Sequence, residues 1–140
     1  MCCKRGWSVA YYGLFAITLF TGALNMLEVK GGFFTNYLAD LAVPAWLYIA
    51  SRGLHSARGR NTWIHRMIGR TPERAVIILF VASAGTEISQ RYWPRGVFSG
   101  RFDSLDLFAY ALGLTVCYVV DRLSADLPAT RSGTDSQPAA

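Results

Sequence analysis

The sequence predicts an all-α fold: a bundle of four transmembrane helices with a basic cytoplasmic linker and a disordered C-terminal tail. Three observations predict it. Apolar residues make up 52% of the 140 residues although 16% are charged, so the two kinds must be segregated along the chain. No charged residue stands between Trp7 and Leu27, and a helix of that length, rising about 1.5 Å per residue, crosses a hydrocarbon core of about 30 Å. The basic residues, finally, gather on one side of the apolar stretches, the asymmetry that the positive-inside rule produces. The length suits one domain, 1–127, followed by a tail, 128–140.

The first span is expected at 7–27, with Trp7, Tyr11 and Tyr12 as interfacial aromatics. Lys4 and Arg5 before it would also suit a secretory signal. The apolar run exceeds an h-region of about 7 to 15 residues and its small-residue site near Thr21 is poor, so a retained anchor is expected. Thr18, Thr21, Asn25 and Glu28 share one face of its second half, which should point inward. After Gly31-Gly32 the second span covers 33–50, with Tyr37, Asp40, Pro44 and Tyr48 on one stripe and a packing kink expected at Pro44.

Between Ser51 and Arg74 six arginines alternate with Trp63, Ile64, Met67 and Ile68, the composition of a short helix lying at headgroup level. Thr71-Pro72-Glu73 is a helix start: a capping hydroxyl, a proline at the first helical position and an acid in the first turn. The third span, 73–92, carries Ser83, Thr86, Glu87 and Gln90 as its polar stripe, with Arg91 spaced for an ion pair to Glu87. A turn-rich loop with Arg95 and Arg101 leads to the fourth span, 104–120, where Asp103, Asp106, Tyr110, Gly113 and Cys117 share a side. The tail after Leu127 is small and polar.

Some chemistries have no support. The net charge of +5 is concentrated in one linker, with no stacking module beside it, so nucleic acid is not an expected partner. Cys2, Cys3 and Cys117 make neither a disulfide framework nor a metal spacing. Cys2 and Cys3 lie where acylation would be possible in a eukaryote, and Cys117 reads as a small core hydrophobe. His55 and His65 stand ten apart without a further ligand type, and no cofactor or metal is expected.

With four spans both termini lie on one side. Ten basic residues fall there or in the central linker against four on the other, which predicts a multi-pass protein of the plasma (inner) membrane with cytoplasmic termini. Glu28, Asp40, Glu87, Gln90, Asp103 and Asp106 then share the outer half of the bundle. A charge within hydrocarbon costs at least about 2.5 to 3.5 kcal/mol, so their shared depth points to one outward-opening polar site. The expected ligand-binding residues are Asp40, Glu87, Gln90, Arg91, Arg101, Asp103, Asp106 and Tyr110.

Glu87 with Gln90, a basic loop, then Asp106, Ala109-Tyr110 and Gly113 resembles the signature of the VanZ-like superfamily of small bacterial membrane proteins, over roughly 75–120. Archetypal members tend to carry asparagine in place of Tyr110. Phe102, Asp106, Ala109 and Tyr110 are more similar to an uncharacterised sister group. The resemblance implies a role at the outer envelope, where the best-known relative raises resistance to a glycopeptide antibiotic.

The residues leave three roles open. One is binding or processing of a lipid-linked or glycopeptide-like amphiphile, arginines holding phosphate or carboxylate and Glu87 with Asp106 sharing a proton. Ser83 and Ser89 have no histidine on their side of the membrane, so covalent catalysis has little support. A second is a small proton-coupled exporter. The third is a structural membrane subunit whose polar stripes join helices.

Overall fold

The computed structural model describes residues 2–27, 33–56, 61–92 and 103–126. Five helices form there: α1 (Cys2–Met26), α2 (Phe33–Arg52), α3 (Trp63–Met67), α4 (Pro72–Tyr92) and α5 (Ser104–Asp126). No strand occurs among the described residues. Two of the helices are long and apolar enough to cross a membrane, over Arg5–Leu24 of α1 and Ser104–Ala125 of α5. The helices α2 and α4 have comparable length; α4, with Glu73, Arg74, Glu87 and Arg91, is the most polar of the four long helices.

The helix ends follow the local chemistry expected of them. The Thr71 hydroxyl accepts from Arg74 N at 3.3 Å and so caps α4 ahead of Pro72. Gly53, at φ 63°, stops α2, since this left-handed backbone costs glycine little. Gly53 N bonds Ala50 O at 3.1 Å and Leu54 N bonds Ile49 O at 3.2 Å, the paired bonds of a Schellman motif. The outer helices overrun their apolar segments: α1 begins at Cys2 where the spans predict 7, and α5 ends at Asp126 where they predict 120. Backbone hydrogen bonding does not require an apolar side chain, so it continues past the point where hydropathy stops marking the helix.

The centre of the fold is α2, which packs against α1, α3, α4 and α5, while α5 also packs on α4. Ala45, Tyr48 and Ile49 of α2 join Ala75 and Leu79 of α4 and Leu114 and Cys117 of α5 in the core. Trp7, Ala10, Tyr11 and Leu14 of α1 pack against the other side. Pro44 is fully buried and α2 continues through it. Having no N–H, it leaves the Asp40 carbonyl without its usual helical partner. Thr21 is buried as its stripe predicts, but Thr18 bonds Leu14 O and Thr21 bonds Ile17 O. These hydroxyls are satisfied inside α1 itself; the Asn25 side chain and Glu28 lie outside the described residues.

Gly113 sets the spacing of α2 and α5. A Cβ there would lie 2.5 Å from the Leu41 carbonyl oxygen, which is backbone and cannot swing aside. Gly85, by contrast, has open space around it. Gly113→Ala is therefore expected to lower stability by about 1 to 3 kcal/mol, while Gly85→Ala gains helix propensity of up to about 1 kcal/mol. Thermal unfolding of the two variants, purified in one detergent, checks the opposite signs.

Candidate functional site

The helices α2, α4 and α5 bring acids together at one end of the bundle. Asp103 caps α5: its Oδ1 accepts from Leu105 N at 2.9 Å, and its Oδ2 accepts from the Tyr37 hydroxyl of α2 at 2.9 Å. Asp106 follows in the first turn, where a negative charge complements the helix dipole. Tyr110, one turn on, directs its hydroxyl between two acids. It donates to Glu87 Oε1 at 2.9 Å and lies 3.4 Å from Asp40 Oδ1. One hydroxyl has one proton to give, so the shorter contact is the bond and the longer one is at the limit of the interaction.

The carboxyl groups of Asp40 and Asp106 lie within reach of each other across α2 and α5. Two acids this close carry charge together only at a cost, so the pair is a place where a proton can be held. Glu87 is 2% exposed, and its Oε2 is buried with no hydrogen-bond partner among the described residues. Native interiors rarely leave such an atom unpaired, because its desolvation is not offset. Glu87 is thus tied on one oxygen and unsatisfied on the other.

No protein-family model, curated protein or solved structure matches the chain. The site rests on its own geometry.

Of the residues expected to form it, Asp40, Glu87, Asp103, Asp106 and Tyr110 are gathered by these contacts. Gln90 is half-buried on the same stripe as Glu87. Arg91 is exposed whereas Glu87 is buried, and the bond that Glu87 accepts comes from Tyr110 of α5. Arg101, Arg95, Phe102 and the rest of the loop over 93–102 lie outside the described residues. The Ser89 hydroxyl donates to Thr86 O at 2.7 Å, an ordinary intrahelical bond. No group of acids, histidines and cysteines among the described residues could hold a metal ion.

A second polar cluster, at the other end of α2, escaped the sequence reading. Asp121 Oδ2 accepts from Arg52 Nε at 2.7 Å and from the Tyr48 hydroxyl at 2.8 Å. Arg52 also donates from Nη1 to Gly69 O at 2.8 Å. Counting Arg52 as a linker charge and Asp121 as a helix end hid the pair; the signal was one charge of each sign at the same predicted depth. Here a cation meets an anion, whereas the acidic cluster is held by tyrosine hydroxyls and a helix N-terminus.

Tyr110→Phe keeps the ring and removes the hydroxyl, leaving Glu87 buried with both oxygens unsatisfied. It is expected to cost about 1 to 3 kcal/mol. Tyr37→Phe, whose partner Asp103 retains its bond from Leu105 N, should cost about 0.5 to 1.5 kcal/mol. Denaturant titration in detergent gives both values.

Proposed function

We propose that the chain is a VanZ-like, four-span integral membrane protein of the cell envelope. In this reading both termini and the basic linker are cytoplasmic, and the acidic site, facing outward, binds or processes a lipid-linked or antibiotic-like amphiphile. The observation that carries it is Glu87: a buried carboxylate with one oxygen unsatisfied, beside a second pair of carboxyls. A buried acid left without a partner suits a group that receives a ligand's donors.

The membrane placement is supported by where the apolar surface lies. Only 11% of the Arg5–Leu24 window of α1 is buried, and Phe20, Phe108, Leu112 and Val116 are exposed. Ile77, Val81 and Ile88 of the more polar α4 are exposed as well. Contiguous apolar area of this kind needs a cover, and a bilayer covers all sides of a bundle at once. The aromatic residues Tyr11, Trp46 and Trp63 at the linker end agree with an interfacial belt.

An amphiphile suits the surroundings of the acids better than a bare ion. A wholly apolar groove of about 540 Å³ runs between α1, α2 and α5, and its lining includes Leu41, next to Asp40, and Gly113, one turn after Tyr110. A hydrocarbon tail in the groove would bring hydroxyl or ammonium donors of a headgroup toward Asp40, Asp106 and Glu87. Such donors, as on a saccharide or an amino sugar, match carboxylate acceptors. The exposed Arg91 would take an acidic group at the rim.

The approach of Asp40 to Asp106 favours one further reading, a proton-coupled exporter in which a cation displaces a proton held between the two acids. Two measurements separate the readings. Reconstituted protein is expected to retain a lipid-linked saccharide in native mass spectrometry. Glu87→Gln and Asp106→Asn should weaken retention at least about tenfold, about 1.4 kcal/mol, while the folded protein still accumulates. Cation efflux from proteoliposomes that follows an imposed pH gradient, with no retained amphiphile, would establish the exporter. Equal loss of fold and retention in both variants would leave only a structural role.

A further inference from the structure

A second cavity, of about 630 Å³, lies at the linker end of the bundle. Its volume falls within the about 300 to 1,000 Å³ of small-molecule sites. Tyr11 of α1, Trp46 of α2, His55, Trp63 and Ile64 of α3 and Leu79 of α4 are among the residues that line it. Bonds between these elements hold its shape. The Ser8 hydroxyl donates to His55 O at 2.7 Å, which ties α1 to the chain after α2. His65 Nδ1 lies 3.2 Å from Ser51 O, and Gly69 rests so closely against the same carbonyl that any Cβ would overlap it. The short helix α3 is therefore docked on the end of α2, and it brings Trp63 and Ile64 to the cavity.

The lining residues themselves define what fits. One wall is made of rings: Tyr11 stacks on His55 with centroids 4.2 Å apart and planes within 15°, and lies 5.7 Å from the Trp46 ring. A flat ring meets such a wall by offset or edge-on stacking. Two of these lining residues also hold polar atoms with nothing to bond. Trp46 Nε1 and His55 Nδ1 are buried and have no hydrogen-bond partner among the described residues, a state that costs free energy. An indole N–H can only donate, so Trp46 lacks an acceptor, whereas an imidazole nitrogen donates or accepts according to its tautomer. Among the described residues the lining has no carboxylate, guanidinium or ammonium group, so the ligand that suits it is neutral. Leu47, Trp63 and Ile64 line the cavity and are exposed as well, which makes its mouth apolar.

We propose that this cavity binds a quinone-type ligand: a neutral flat ring that carries carbonyl oxygens and a hydrocarbon tail. The ring lies against Tyr11, Trp46 and His55, and one ring carbonyl accepts from Trp46 Nε1. The second ring oxygen meets His55 Nδ1, which can donate to a carbonyl or accept from a hydroxyl. The tail leaves past Leu47 and Trp63 into the bilayer. A phospholipid headgroup would bring a charge that no described lining residue answers. The proposal rests on the membrane placement above and is independent of the outward acidic site.

The test uses the full chain in detergent micelles with two probes: decylubiquinone, and decanol, which has a tail and a hydroxyl but no ring. Native mass spectrometry reads what stays bound. One decylubiquinone per chain is expected to persist, preferred over decanol by about tenfold or more, since decanol cannot make the second hydrogen bond or stack. Trp46→Phe and His55→Phe keep a ring in the wall and remove its nitrogens, and each should weaken retention of decylubiquinone by about tenfold, the worth of one hydrogen bond. Without quinone, the melting temperature of Trp46→Phe should equal or exceed that of the parent, because the variant loses a buried donor that had no partner. Equal retention of the two probes, no retained quinone, or full retention of quinone by both variants would overturn the proposal. A chain that stays in solution without detergent would instead sink the membrane placement on which it rests.

Discussion

The approach of α5 to α2 at Gly113 is the constraint on which the rest of the structure depends. With no side chain at that position the Leu41 carbonyl can sit against α5, and the helices close to a distance at which short polar side chains meet. Asp40 and Asp106 have little reach. A close backbone seam beside them favours their approach. Tyr110, longer and stiffer, then spans the remaining gap to Glu87 on α4. The polar site is thus a consequence of backbone packing one turn away from it.

Two polar layers result, with the apolar core of Ala45, Ile49, Leu79, Leu114 and Cys117 between them. They differ in electrical character. In the layer of Arg52, Asp121 and Tyr48 one cation meets one anion, and Nη1 of Arg52 donates to the Gly69 carbonyl. Breaking such a pair would strand a buried charge, so this end acts as an anchor that fixes α3, α2 and α5 together. The layer of Asp40, Glu87, Asp103 and Asp106 gathers acids around tyrosine hydroxyls and the N-terminus of α5. Like charges held together destabilise a fold unless a proton or a counter-charge offsets them, so the two layers respond to charge in opposite ways.

Much of this was legible in the sequence, because helical periodicity is a one-dimensional signal. The stripe of Ser83, Thr86, Glu87 and Gln90 is more covered in the structure than its neighbours Gly85, Ile88 and Arg91, as steps of three and four require. The caps at Thr71 and Asp103 were readable for the same reason: their partners are two or three residues away. What the sequence could not supply was pairing across helices. The bond that Glu87 accepts from Tyr110, 23 residues on, has no local signal. Arg52 and Asp121 are 69 residues apart, and nothing local in either neighbourhood marks them as partners. Thr21 of α1 is buried as its stripe predicts, but periodicity does not say where a hydroxyl bonds, and those of Thr18 and Thr21 are used within their own helix.

Pro44 has a mechanical effect on this arrangement. Below it, Tyr48 and Ser51 are bound into the anchored end of α2; above it, the helix is joined to that end by one ladder bond fewer. The missing bond falls between the two polar layers, so within α2 the acids and the Asp121 cluster are coupled by one backbone hydrogen bond fewer than an uninterrupted helix would supply.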